Sequence, residues 1–153
     1  MDFLYEALGA EDLVEVLALE QRYFAETCSV HYEMLSYLMN SSICFKCTGA
    51  GSIVGFIRAE IDREKNVASL DIICVSKECR GLGIAKRLIR LSIDAIFRET
   101  GNEMPEIFLL VSAENTRAVG LYRKMGFSVA ERIPNAYPNG GAALKMKYGL
   151  IQG

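Results

Sequence analysis

Apolar positions along the chain alternate between two periods, one of a helix and one of a strand. In "EDLVEVLALEQRYF", residues 11 to 24, Leu13, Val16, Leu17 and Glu20 recur at helical spacing, with Leu13, Leu17 and Phe24 extending the stripe. "FLYEAL" before it reads as a short strand, and a weaker helical pattern follows from about Tyr32 to Met39. "SSICFKCT" and "SIVGFIRAEID" are strands separated by "GAG", a hairpin signal. "NVASLDIICV" is longer and more continuously apolar, as expected of a central strand covered on both faces. A helix from about Gly83 to Thr100 carries Ile84, Leu88, Leu91 and Ala95 on one stripe and stops at Gly101. "EIFLLVS" is the next strand, and "ENTRAVGLYRKMGF" is a helix capped by Asn115 and closed by Gly126. "FSVAERI" and "AALKMKYG" are two last strands joined by the turn-rich "PNAYPNGG". The order β-α-α-β-β-β-α-β-α-β-β predicts a mixed α/β fold with a partly parallel sheet between helices.

Composition narrows the setting. A chain of 153 residues, 51 % apolar and 24 % charged, is expected to form one domain over residues 1–153 with its own core. Its net charge of -2 and lack of a basic block argue against nucleic acid as a partner. No apolar run approaches the ~20 residues that span a bilayer. The acidic start "MDFLYEALGAEDL" does not read as a secretory leader, so a soluble, cytoplasmic protein is expected. Five cysteines (Cys28, Cys44, Cys47, Cys74, Cys79) are an odd number and suggest reduced thiols. Cys44 and Cys47 form a C-x-x-C with no second pair, and His31 is the lone histidine. No metal site is therefore expected; "ICFKC" reads as a half-buried strand with its cysteines as small apolar residues, and His31 as a loop or helix-start residue.

Charge then points to chemistry. The helix after "CVSKECRGLG" opens with Lys86 and Arg87, although a helix N-terminus already carries partial positive charge. Small residues at Gly81, Gly83 and Ala85 let the backbone approach a ligand, and the first helical turn offers unpaired N–H groups. Arg80, Lys86 and Arg87 make sense there if phosphate binds at the helix mouth. A Rossmann fingerprint would need glycine at Lys86, and a Walker A loop needs Gly-Lys-Ser/Thr; neither is present. An ordinary strand-to-helix turn with solvated basic residues remains open from this segment alone.

A second motif strengthens the first. Asn115, Ala118 and Tyr122 fall on one face of the next helix. Asn115 can both donate and accept, and a phenol of ordinary pKa about 10 can protonate a departing thiolate at neutral pH. Together the two motifs resemble those of the GNAT-superfamily N-acetyltransferases. Arg80, Gly83 and Ala85 match that family's pyrophosphate loop, and Asn115, Ala118, Leu121, Tyr122, Gly126 and Phe127 match its N-x-x-A-x-x-L-Y-x-x-x-G-F signature. The similarity is strong over about residues 52 to 148.

The resemblance implies a central mixed seven-stranded sheet, flanked by about four helices and splayed between its fourth and fifth strands. It implies acetyl-CoA as cosubstrate, with Ile73, Cys74 and Val75 along the pantetheine arm. Arg80, Gly81, Leu82, Gly83, Ile84, Ala85 and Lys86 would surround the pyrophosphate, Asn115 would position the arm, and Tyr122 would protonate the thiolate. Direct attack of a neutral amine in a ternary complex is implied, with a backbone donor near Ile73 for the oxyanion. A covalent route through Cys74 lacks a histidine partner.

The base is less well defined. Relatives carry it at positions that are Leu110 and Ser69 here, neither of them basic, which leaves Asp71 as the nearest carboxylate. A water relay to a backbone carbonyl is the other route. "NAYPNGGAALKMKY" resembles the substrate hairpin of protein N-terminal acetyltransferases through Tyr137 and Met146, although Ala136 and Gly141-Ala142 depart from it. By analogy Tyr137, with Tyr23 and Phe24 opposite, would bind a protein or peptide N-terminus. A small-molecule amine is the alternative acceptor, and a non-catalytic coenzyme A-binding module the alternative class. Either a monomer or a homodimer fits.

Overall fold

The structure is a computed structural model that describes residues 2–24, 43–101 and 105–149. Its elements run β1 (Phe3–Ala7), α1 (Leu13–Phe24), β2 (Ile43–Gly49), β3 (Ser52–Asp62), β4 (Val67–Val75), α2 (Ile84–Thr100), β5 (Glu106–Ser112), α3 (Thr116–Lys124), β6 (Phe127–Ile133) and β7 (Ala143–Tyr148). Short 3-10 turns cover Ala10–Asp12 and Lys77–Cys79. The helix expected near Tyr32 to Met39, with Cys28 and His31, lies outside the described residues. Among the described residues there are three α-helices.

All seven strands form one sheet in the order β1-β2-β3-β4-β5-β7-β6. Every pairing is antiparallel except β4 with β5, where α2 makes the crossover that parallel neighbours require. That one parallel ladder is short. It runs from Val67 opposite Glu106 to Leu70 opposite Leu109 and then ends, although β4 continues to Val75 and β5 to Ser112. The sheet thus splays between its fourth and fifth strands, as the resemblance implied. A bulge sits at the fork: Ala59 pairs with Leu70 and Arg58 with Ile72, so Asp71 is the extra residue on β4.

Two cores cover the two faces. α1 packs on one face through Leu13, Val16 and Leu19 against Cys44, Ile53, Phe56 and Cys74. The other face carries α2, with Ile84, Leu88, Ile89 and Ile96 against Ile57, Leu70, Leu109 and Met146. The expected α2 stripe holds at Ile84, Leu88 and Ala95, which are buried, and widens to take in Ile89, Ile93 and Ile96, whereas Leu91 is half-buried. Cys44 and Cys47 act as small apolar residues of a half-buried strand, as expected. Three apart on β2, they enter opposite cores and cannot converge on one ion.

Polar links fix α1 at its start. Lys46 Nζ donates to Asp12 Oδ2 at 2.8 Å, and Ile53 N donates to Glu15 Oε2 at 2.6 Å. Among the described residues no helix is long and apolar enough to cross a membrane.

Candidate active site

Beyond Val75 the chain leaves the sheet through the Lys77–Cys79 turn, which buries Cys79 and turns the backbone towards α2. Gly81 and Gly83 both adopt φ of 81°, a left-handed conformation that strains any residue with a Cβ. No heavy atom lies within 4 Å of where a Cβ on Gly83 would stand. Glycine is thus required there by the bend, and the space it faces is open. α2 starts at the next residue, so its unpaired N–H groups face that space.

A cavity of about 700 Å³ occupies the gap between this helix mouth, the parted end of β4 and α3. Ile73, Cys74, Val75, Arg80, Gly81, Gly83, Ile84, Ala85, Lys86, Asn115 and Tyr122 all line it, so the fold brings these expected coenzyme residues to one place. Leu82 is the exception: it does not line the cavity, and its residue is 58 % exposed. The cations are also redistributed. Arg87, expected at the mouth, instead stacks over the Tyr5 ring at 5.6 Å, because successive helical residues point about 100° apart. Arg117 and Lys124 from α3 join Arg80 and Lys86 on the wall. Sequence reading missed both, because about 100° per residue sets them nearly opposite Asn115 and Tyr122 around the helix.

α3 presents its functional face because Asn115 caps it. Asn115 Oδ1 accepts from Ala118 N at 3.2 Å, which commits the oxygen and leaves the amide N–H group as the donor a ligand can use. Asn115, Ala118 and Tyr122 all line the cavity, while Val119 enters the core. The Tyr122 ring packs edge-on against Phe127, with centroids 6.1 Å apart. Burial pushes its phenol up to about 12, so it holds its proton throughout the neutral range. Cys74 is buried, its Sγ donates to Leu19 O at 3.9 Å, and burial pushes its thiol up to about 12. A thiol in that state is not a nucleophile at neutral pH.

The opposite face of the fork is different in character. Asp71, the bulged residue, accepts from the Arg58 guanidinium, which also donates to Glu60 Oε2 at 3.0 Å. The Arg58 side chain is only 4 % exposed. Ser69 is half-buried and Leu110 is 54 % exposed, so neither supplies a base. Tyr137 is half-buried in the β6–β7 loop, where its carbonyl accepts from Gly140 N at 2.9 Å. Ala113 N donates to Ala142 O at 2.9 Å, tying that loop to the end of β5 beside the fork. Tyr23 and Phe24 end α1, and their side chains lie outside the described residues. One further residue was missed: Glu20, buried on the inner face of α1. Its signal was its place in the apolar stripe.

Chemically, the mouth suits a polyphosphate, with helix N–H groups and four cations around it. Beyond Leu70 the edge of β4 no longer pairs with β5, which suits an extended amide chain pairing as an added strand. The model of the acetyltransferase (GNAT) family matches residues 4–127. N-alpha-acetyltransferase MAK3 of Arabidopsis thaliana is 30 % identical over 142 residues, 91 % of this chain and 73 % of that protein. N-alpha-acetyltransferase 30 of Saccharomyces cerevisiae is 35 % identical over 96 residues, 61 % of this chain and 53 % of that protein. The chain spans about half the length of that yeast relative. In the crystal structure of the NatC complex bound to Gag peptide and CoA, one chain superposes with a TM-score of 0.85 at 26 % identity, covering 98 % of this chain and 99 % of the other. With the family match running from β1 to the start of β6, across the fork and both helices that face it, the chain belongs to the GNAT acetyltransferase family.

Proposed function

We propose that the chain is an acetyl-CoA-dependent N-acetyltransferase acting on a protein or peptide N-terminal α-amine. One observation carries the reading: the sheet parts beyond Leu70 and Leu109, and the gap opens beside both the cationic helix mouth and the Tyr122 phenol. The acceptor class is supported by the N-alpha-acetyltransferase relatives and by the β6–β7 loop that carries Tyr137 at the fork. A single domain in the cytoplasm, as monomer or homodimer, is the setting that goes with it.

When bound, the coenzyme supplies a thioester whose acetyl group can pass to an amine. This chain's residues do the rest. Arg80, Lys86, Arg117, Lys124 and the first N–H groups of α2 hold the phosphates. Ile73, Cys74 and Val75 offer the backbone edge that orients the pantetheine, with Asn115 as side-chain donor. Tyr122 donates its proton to the leaving sulfur. Holding both partners in one cleft contributes much of the acceleration. Asp71 we assign to holding Arg58 on the acceptor wall, because its carboxylate is already engaged by that guanidinium.

The test is coenzyme A release with a panel of short peptides bearing free N-termini, with intact-mass detection of one added acetyl group. Spermidine and amino acids form the control arm, since spermidine N(1)-acetyltransferase of Escherichia coli is 39 % identical over 70 residues, 46 % of this chain. Turnover of those amines alone would reject the peptide acceptor. Thermal stabilisation by acetyl-CoA without turnover of any amine would instead indicate a binding module.

A further inference from the structure

The inner face of α1 carries a group used by neither the coenzyme cavity nor the Arg58 cluster. Glu20 is 2 % exposed, and among the described residues its Oε2 has no hydrogen-bond partner. An unpaired buried carboxylate opposes folding, since it loses hydration and gains no bond in return. Its place in the fold suggests what is gained. Leu19, its neighbour on α1, accepts from the Cys74 thiol, and the Glu20 charge acts on that same thiol. Cys74 stands on the stretch of β4 that has parted from β5, and it also lines the coenzyme cavity. Glu20 therefore approaches the fork from the α1 face, across the sheet from α2.

We infer that Glu20 is the proton acceptor for the attacking amine, receiving it at the fork beside Cys74. This rests on the N-acetyltransferase reading. The ammonium N–H bond breaks and a carboxyl O–H bond forms; the lone pair so freed makes the amide C–N bond as the thioester C–S bond breaks. The leaving thiolate takes the Tyr122 proton, the surplus proton on nitrogen restores that phenol, and Glu20 returns its own proton to solvent.

Among the described residues the competing carboxylate, Asp71, is bound by Arg58, whereas Glu20 has an open oxygen. The other charged and titratable groups near this face are accounted for. Cys74 and Arg80 interact with each other, as do Cys44, Arg58 and Asp71. On α1 itself Glu15 binds Ile53 N, and Arg22 interacts with Glu78. Burial is what pushes the Glu20 carboxyl above the ordinary carboxylate range. A base of that kind is lost as pH falls through its raised pKa, nearer to neutrality than an exposed carboxylate.

Glu20→Gln tests this in the full chain, beside Asp71→Asn, with a peptide acceptor and with spermidine. The expected result is a loss of about 10²–10⁴ in kcat for Glu20→Gln. Its acid limb should vanish, its acetyl-CoA affinity by calorimetry should not change, and its thermal midpoint should equal or exceed the wild-type value. Asp71→Asn should keep the acid limb. A Glu20→Gln protein with wild-type kcat and pH profile would overturn the assignment. Should that variant fold poorly, the wild-type profile decides: an acid limb that is absent, or that sits at an exposed carboxylate's pKa, also overturns it. A wild-type chain that turns over neither acceptor removes the reaction, and this role with it.

Discussion

The two sides of the β4–β5 fork are built by different means. On the α2–α3 side the ligand-facing groups are backbone N–H groups and side chains from two short stretches of chain, shaped by Gly81, Gly83 and the Asn115 cap. On the α1 side they are side chains drawn from separate strands and a helix: Arg58 from β3, Asp71 from β4, Glu20 from α1. Backbone N–H groups at a helix mouth serve any polyphosphate, whatever else changes. Side chains gathered from afar can be exchanged singly. The first arrangement suits a constant cosubstrate, the second a variable acceptor.

That contrast can be broken at named residues. Beside Glu20→Gln, the largest effect should come from Tyr122→Phe: kcat should fall by about 10²-fold or more while acetyl-CoA affinity is kept. Steady-state kinetics against both substrates checks it, and an unchanged kcat would remove the acid. The same phenol gives a pH signature. Its folded pKa of about 12 lies above the ordinary phenol value of about 10, so the folded state holds the proton longer. Stability from this group is therefore complete below about pH 10 and is lost as pH rises towards 12. By denaturant titration the stability difference between wild type and Tyr122→Phe should be constant below about pH 10 and change only in that window.

Gly83→Val should act next, and only on the coenzyme side. A β-branched residue at φ of 81° costs about 1–2 kcal/mol of backbone strain. Carried into binding, that strain weakens acetyl-CoA by about tenfold. Calorimetry measures it, and unchanged affinity would mean the mouth does not hold the phosphates. On the acceptor side, Asp71→Asn leaves the buried Arg58 with less opposing charge. A loss of about 1–3 kcal/mol in folding stability is expected, with acetyl-CoA binding intact. A change in coenzyme affinity would show that the two sides are coupled.

The smallest effect belongs to Asp12→Asn, at the far end of α1. Burial pushes the Asp12 carboxyl up, but the Lys46 ammonium and the Gly9 N–H outweigh it, and the net shift is downward. The folded state thus releases this proton more readily than the unfolded one. Its contribution is present above the ordinary carboxylate range and is lost as pH falls through the lowered value. Asp12→Asn should lose about 1 kcal/mol near neutrality and show a flatter acid side of the stability curve. Urea midpoints at several pH values would reveal whether it does.

The coenzyme side was legible because its chemistry follows from neighbours in the chain. A glycine pair before a helix and an asparagine at a cap determine local backbone shape, and seven-residue spacing fixes a shared helical face. The exceptions are instructive. Arg87 reads as a mouth cation next to Lys86, yet one residue of helical rotation carries it to Tyr5. Arg117 and Lys124 join the cavity wall only because α3 is set against the end of β4. On the acceptor side Asp71 reads as an available carboxylate, because nothing in the local sequence shows that a bulge turns it towards Arg58 across the strand pair. Glu20 recurs at helical spacing with Leu13 and Val16, and the structure buries it with them.

The sequence by itself determined the order of elements, the helix mouth and the face that carries Asn115 and Tyr122. These depend on dihedral preference and periodicity over a few residues. Only the tertiary structure decided where β4 and β5 part, which cations turn to the gap, and which acid keeps an open oxygen. Those outcomes depend on contacts between segments tens of residues apart. There, burial and pairing rather than residue type decide whether a charge is held, neutralised or left ready to react.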